Sequence, residues 1–316
     1  MTRIIYYFLF AMMTLMLFAC ADKTSAPTLT PHEGFVEVKG GKIWYRVWGS
    51  GDGIPVVMLH GGPGFTSYYL TPLADSLSKE RTVIVFDQLG CGRSDQLSDT
   101  SLMNMQAHVD QVSALLKALK IETFDLYGHS FGTMLATDFY LQHPENIRSV
   151  VLASPCLRTK NWMLDADTLM MQLPDSTAQV LQNFRKGVRQ DSVQLANALT
   201  VYYSNFYNRK QPLSPYVDSS LRLQSLQVYR HMWGPEEFMA TGNLKAYDRT
   251  PDLEKIKVPV LFTTGQYDAA RPSTVKSYQR LIKGAVFEEI PAAGHSTMTD
   301  HIEADLKVLK AFWNKL

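Results

Sequence analysis

Apolar residues along most of this chain fall into two rhythms. Short, nearly unbroken apolar runs occur at IPVVMLH (54–60), TVIVFD (82–87), TFDLYG (123–128), SVVLASP (149–155) and VPVLFTTG (258–265). Runs of that length suit strands buried on both faces, as in a parallel sheet. AVFEEIP (285–291) reads as the last strand. Near the start, FVEVKG and KIWYRVWG alternate apolar with polar positions and meet at Gly40-Gly41, the pattern of an antiparallel hairpin. Between these runs, apolar positions recur at helical spacing over 67–79, 101–119, 131–143, 272–282 and 300–314. The alternation predicts an α/β fold, a mostly parallel sheet of about eight strands with helices packed on it.

One interval breaks the alternation. From about Leu157 to Thr250 there are helical stretches rich in Met, Tyr and Gln, and no strong strand. Both ends of the interval join consecutive core strands. That favours a helical cap (155–250) inserted after the sixth strand over a separate domain on a linker. The core then comprises 34–154 and 251–316.

The amino terminus follows neither rhythm. Arg3 precedes an apolar run from Ile4 to Ala19, 16 residues long. This is short for a membrane span and right for the core of a signal peptide. The run ends in LFAC, which resembles the bacterial lipobox, so Cys20 is the expected lipidated first residue after cleavage at 1–19. An ordinary secretory signal and an uncleaved anchor are the alternatives. Residues 20–33, polar and proline-containing, read as a tether. The expectation is an exported bacterial lipoprotein, periplasmic or outer-membrane associated, touching the membrane only through its lipid.

Composition adds limits. The 316 residues are 46% hydrophobic, enough for a large core, and the net charge of +1 gives no nucleic-acid footprint. Besides Cys20 the cysteines are Cys91 and Cys156. They follow strands about three positions apart, about 14 Å at roughly 4.8 Å per strand, too far for a disulfide. Two free, buried thiols are expected, and neither has a metal-ligand companion nearby in sequence.

The candidate chemistry lies in DLYGHSFGTM (125–134), where Ser130 occupies a G-x-S-x-G motif between a strand and a helix. That context is the nucleophile elbow, a sharp turn that Gly128 and Gly132 permit. A serine needs a base, and the base needs an orienting acid. In a fold of this kind they follow in the order Ser, Asp or Glu, His. Asp268 comes just after a late strand, and His295 lies in the loop after the last one. All three fall at carboxyl ends of strands, where open α/β sheets bind ligands. His60, His129, Asp87 and Asp125 come too early in the chain, Asp248 and Asp252 precede the seventh strand, and His143 suits a helix cap. An oxyanion hole needs two convergent N–H groups. Phe131 supplies one. HGGPG (60–64) supplies the other, with Gly62 the first choice, Phe65 the second, and Pro63 excluded for want of an N–H. This chemistry calls for no metal or organic cofactor.

HGGPG, FDQLGCGRS, GHSFG and GQYDAARP…AAGHS together resemble the proline iminopeptidases, a branch of the α/β-hydrolase fold. MWGPEEFMATGNLKAYDRT (232–250) resembles the end of the cap in the tricorn-associated type. The resemblance runs from about residue 35 to the carboxyl terminus. It implies a serine aminopeptidase that releases an N-terminal residue, often proline, from short peptides or amides. It also implies an acidic residue that holds the substrate amine. Glu237 matches that position, and the neighbouring Glu236 is expected to point elsewhere into solvent. Phe131, Trp233 and Phe238 are candidates for the side-chain pocket. Two departures stand out. Relatives often carry a glutamate immediately after the catalytic aspartate; here Ala269 stands there and Arg271 follows, which would weaken the hold on an amine. Leu89 stands where an arginine is frequent. An amino-acid amidase or esterase using the same three residues is the rival enzyme reading, and a non-catalytic ligand-binding protein is the rival outside enzymes.

Overall fold

The computed structural model describes residues 29–50 and 53–316. Residues 1–28, including Cys20, the signal-peptide segment and most of the tether, lie outside it. An eight-stranded sheet forms the centre, in the order β1-β2-β4-β3-β5-β6-β7-β8. β1 (His32–Val38) and β2 (Gly41–Trp48) make the hairpin, with Val38 opposite Gly41, so the turn is Lys39-Gly40 rather than the two glycines. β1 also takes up the last two residues of the expected tether. β2 pairs antiparallel with β4, and every later pairing is parallel.

β3 (Val56–Leu59), β4 (Val83–Phe86), β5 (Phe124–His129), β6 (Ile147–Ala153) and β7 (Val260–Gly265) occupy the apolar runs. Alternate side chains supply two cores. Val57, Leu59, Ile84, Phe86, Leu126, Val150, Leu152 and Phe262 face one side. Val56, Met58, Val83, Val85, Tyr127, Val151 and Leu261 face the other. The period-two geometry of a strand thus explains why apolar residues are continuous here. β8 (Val286–Ile290) forms the edge opposite β1, and its exposed Glu288 and Glu289 guard that edge against further pairing. The helices α1 (Thr71–Leu77), α2 (Met105–Ala118), α3 (Phe131–Gln142), α9 (Pro272–Gln279) and α11 (Ile302–Trp313) cover the two faces. α10 (Thr297–Asp300) is a single turn. The pattern over 67–79 resolves into a 3₁₀ turn, Ser67–Leu70, running into α1.

The interval between β6 and β7 folds as five helices: α4 (Thr159–Met170), α5 (Asp175–Arg185), α6 (Ser192–Phe206), α7 (Pro215–Leu223) and α8 (Leu226–Met232). Its two ends lie side by side, with Thr159 N–H bonded to Tyr247 O at 3.0 Å and Arg249 N–H to Leu157 O at 2.9 Å. The helices are tied to the sheet loops by backbone bonds as well. Ser225 N–H donates to Gly64 O (2.7 Å), and His295 and Ser296 N–H donate to Phe206 and Tyr207 O (both 2.9 Å).

Strand order decides where a site can form. β4 lies on one side of β3 and β5 on the other, so the loops leaving β3 and β5 diverge. The crevice at such a reversal is where open α/β sheets bind ligands. Leu59 pairs with Gly128 across it, which brings the glycine loop after β3 and the Ser130 turn out at one level.

Cys91 and Cys156 are both free and buried. Leu89 is packed in the core and its N–H donates to Gln111 Oε1 at 2.9 Å, so an apolar contact occupies the place of an ion pair.

Candidate active site

Ser130 is strained by construction. Its backbone lies at φ 56°, ψ −123°, a region that side-chain-bearing residues rarely adopt. The neighbours hold it there. Ser130 N–H donates to Ala153 O at 3.0 Å, and Thr133 donates to Ser130 O through both N–H (2.8 Å) and Oγ1 (2.6 Å). The flanking glycine is needed for close approach, since a Cβ on Gly132 would fall 2.2 Å from Leu59 O. The turn therefore presses α3 onto the end of β3 and leaves the Ser130 side chain projecting at the helix N-terminus, where the dipole favours negative charge.

Asp268 and His295 meet directly. His295 Nδ1 lies 2.7 Å from Asp268 Oδ1. Asp268 also accepts from Ala270 N–H (2.8 Å), Gly265 N–H (3.0 Å), Thr264 Oγ1 (3.0 Å) and Ser154 Oγ (2.6 Å). Burial alone would raise its pKa, but the facing imidazole and this ring of donors outweigh it and hold the carboxyl below its ordinary value. An ionised Asp268 accepts a hydrogen from Nδ1, which leaves the Nε2 lone pair of His295 free to take a proton. Ser130 and His295 line the same chamber.

The candidate oxyanion donors come from the two diverging loops. Among the described residues, neither Gly62 N–H nor Phe131 N–H has a backbone or side-chain acceptor. Gly62 lines the chamber beside Ser130, and the Phe65 ring forms part of the chamber wall, 5.4 Å from Tyr69. A relay braces these loops. Gly61 N–H donates to Tyr69 Oη (2.7 Å), which lies 2.8 Å from His129 Nδ1, and His129 Nε2 lies 2.9 Å from His295 O. Because a carbonyl can only accept, the His129 proton is on Nε2, and Nδ1 accepts from the tyrosine. Burial pushes the His129 pKa down to about 3, so it stays neutral. His60 is likewise held neutral by burial, with Gln88 N–H donating to its Nε2 at 3.0 Å. Asp87 and Asp125 hold structure: Asp87 accepts from Ser67 and from Arg93 N–H, and Asp125 from Arg81, Arg148 and Ser149.

Two cavities border Ser130. One is a narrow recess of about 10 Å³ bounded by Phe131, Met134, Cys156, Trp162 and Trp233. The other is an outer chamber of about 280 Å³. Gly62 and Glu237 border both. Glu237 lies on an irregular turn after α8, not on a helix. That turn depends on Gly234, at φ 155°, where a Cβ would lie 1.9 Å from Met239 O. The backbone carbonyl of Glu237 accepts from the indoles of Trp162 (3.1 Å) and Trp233 (3.2 Å). Its carboxyl is lifted to about 7, chiefly by burial and further by the Glu236 charge, against the pull of His295 and of the Tyr229 and Tyr207 hydroxyls. Tyr207 Oη is buried with no acceptor within direct hydrogen-bond distance among the described residues, so its pull on Glu237 acts from slightly farther away.

Several sequence expectations need correction. Glu236 does not point into solvent: it forms part of the chamber wall and accepts from Tyr203 Oη at 2.7 Å. Phe238 borders neither cavity; it is fully buried and packs edge-on against Tyr202 at 5.2 Å. Arg271 does not face the chamber, and its guanidinium is 3.5 Å from Asp165 on α4. Ala269 is buried and leaves no carboxylate after Asp268. Three contributors had no sequence signal. Trp162 packs edge-on against the His295 ring at 5.4 Å, Tyr207 flanks the same ring at 5.1 Å, and Ser154 bonds Asp268 from a backbone at φ 50°. Among the described residues no group of three potential metal ligands is gathered, and no helix is long and apolar enough to cross a membrane.

Fold and site together define a class. Residues 54–302 match the family model of the alpha/beta hydrolase fold. The chain is 34% identical over 286 residues to the proline iminopeptidase of Heyndrickxia coagulans, covering 90% of this chain and 99% of that protein. It is 28% identical over 288 residues to the proline iminopeptidase of Saccharolobus solfataricus, covering 90% and 93%. Among solved structures, VinJ superposes with a TM-score of 0.85 at 28% identity, covering 91% of this chain and all of that one. The proline iminopeptidase of Mycobacterium smegmatis gives 0.84 at 26% identity, covering 90% and 98%. The chain belongs to the proline iminopeptidase family of α/β hydrolases.

Proposed function

We propose that the protein is a serine aminopeptidase that releases an N-terminal residue, proline favoured, from short peptides or amides. The observation that carries this is the shared border: Ser130, Gly62 and a half-buried carboxylate, Glu237, line the same two cavities. A protonated substrate amine on Glu237 gains charge-assisted hydrogen bonds and offsets the partial desolvation of that carboxylate. That fixes the acyl residue with its carbonyl at the Gly62 and Phe131 N–H groups.

The chemistry follows from the donors and acceptors. His295 Nε2 removes the Ser130 hydroxyl proton as Oγ bonds to the carbonyl carbon. Asp268 stabilises the imidazolium through Nδ1–H. The same proton passes to the leaving nitrogen, the C–N bond breaks, and an acyl-enzyme remains. Water then gives its proton to His295 and attacks the ester, and Ser130 recovers its proton as the free amino acid leaves. The aromatic residues Phe131, Trp162 and Trp233 beside Ser130 offer flat apolar contact to a proline ring, and the helical cap restricts access to short substrates.

A panel of aminoacyl-arylamides, each free or N-acetylated, tests the assignment. Rapid turnover of prolyl and other small aminoacyl-arylamides with a free amine is expected, with acetylated forms inert. Equal rates on both would favour the amidase-or-esterase reading that the same three residues allow.

The N-terminal sequence supports a second element of the proposal, an exported lipoprotein anchored through Cys20. Metabolic labelling with palmitate should mark the full-length protein and fail with Cys20→Ser. Unchanged labelling in that variant would remove the anchor.

A further inference from the structure

The two cavities divide the substrate between them. With the amine on Glu237 and the carbonyl at Ser130, the acyl residue sits on their common border. The recess, at about 10 Å³, has room for about one water and is too small for a departing peptide. The leaving group therefore occupies the outer chamber of about 280 Å³, so the chamber wall decides which leaving groups are accepted.

That wall has an unbalanced chemistry. Phe65, Val217, Leu221 and Leu226 give it an apolar side, and Leu221 and Leu226 are 41% and 50% exposed, placing them at its rim. Two carboxylates, Glu236 and Glu237, face inward. Among the described residues no lysine or arginine lines it. Burial raises the Glu236 pKa against the pull of the Tyr203 hydroxyl and of nearby Arg230, and Arg230 is not part of the wall. His129 stays neutral. In the proposed mechanism His295 takes up the Ser130 proton and passes it to the leaving nitrogen.

A free dipeptide carries its carboxylate two bonds from the scissile nitrogen, so that charge must enter this chamber. There it would lose water without gaining a cation from the wall and would lie near Glu236, the wall carboxylate that the substrate amine does not neutralise, in a poorly screened space. An amide, an arylamide or a longer peptide brings no charge to that point. We propose that the outer chamber selects neutral, apolar leaving groups and discriminates against free dipeptides. This rests on the aminopeptidase reading and narrows its substrate class to carboxamides, arylamides and peptides long enough to carry the carboxylate past the rim.

The test compares L-prolyl-L-leucine with L-prolyl-L-leucinamide at pH 7.5, and the matching alanyl pair, on the full-length enzyme. The amide should exceed the free acid in kcat/KM by on the order of tenfold or more, since unmatched like charges at a binding surface suppress the wrong partner. Gln224, a chamber residue with a polar side chain, offers a second readout: Gln224→Lys should raise turnover of the free dipeptide relative to the amide and narrow the ratio. The wild-type ratio decides the matter even if that variant folds poorly. A ratio near one with brisk turnover of both members would overturn this inference alone. Failure to cleave any free-amine substrate, with N-acetylated esters still hydrolysed, would overturn the aminopeptidase reading and this inference with it.

Discussion

Ser130→Ala should reduce kcat by on the order of 10⁴–10⁶, since loss of the nucleophile alone disables the whole catalytic unit. Folding should be intact. Alanine keeps the Cβ, so the strained backbone at φ 56° is neither relieved nor worsened, and the bonds that hold the turn run through the main chain and Thr133. The Tm should therefore stay close to that of the parent. Ser130→Gly should be equally inactive yet more stable by about 1 kcal/mol, because glycine adopts positive φ without the steric cost. Activity assays and thermal melts on the pair separate chemistry from strain. Near-normal turnover in Ser130→Ala would remove this residue from the mechanism.

Glu237→Gln should lower kcat/KM for free-amine substrates by on the order of 10²–10³, the loss expected when one partner of a buried charge pair is removed. An N-acetylated ester should change only a few-fold. The pH profile carries the same information. Glu237 titrates at about 7 in the free protein, so it is neutral below that pH and a carboxylate above it. The substrate amine is protonated below roughly 8. Attraction between the two is greatest between those values, so kcat/KM should rise as pH climbs through about 7 and fall as the amine deprotonates. In Glu237→Gln the amine loses its charged partner at every pH, and the difference between the two enzymes should be largest between pH 7 and 8 and shrink on the acid side. Equal losses on free and blocked substrates would sink the amine-binding role.

The parts legible in the sequence are those governed by local rules. Buried strands announce themselves because both faces need apolar residues, as Val56 to Leu59 and Val83 to Phe86 show. The order Ser130, Asp268, His295 is legible because the topology fixes which loops reach the carboxyl edge of the sheet. The illegible parts depend on packing across distant segments. Trp162 meets His295 because the cap helix carrying it folds back over the sheet, and nothing near Trp162 in sequence marks that. Glu236 reads as a surface charge because adjacent side chains diverge on regular elements. It lies on an irregular turn, which lets Glu236 and Glu237 face one chamber. Phe238 misleads for the opposite reason: it is next to the site in sequence yet packs into the cap core. The missing glutamate at Ala269 has a similar lesson, since a second carboxylate reaches the chamber from Glu236 instead.

The most direct measurement is to label the purified enzyme with a fluorophosphonate, digest it and map the added mass by tandem mass spectrometry. The expected result is stoichiometric modification of Ser130 that disappears in Ser130→Ala and is slowed by prior incubation with prolinamide. Absence of labelling, or modification confined to another residue, would contradict an activated hydroxyl at the strained turn.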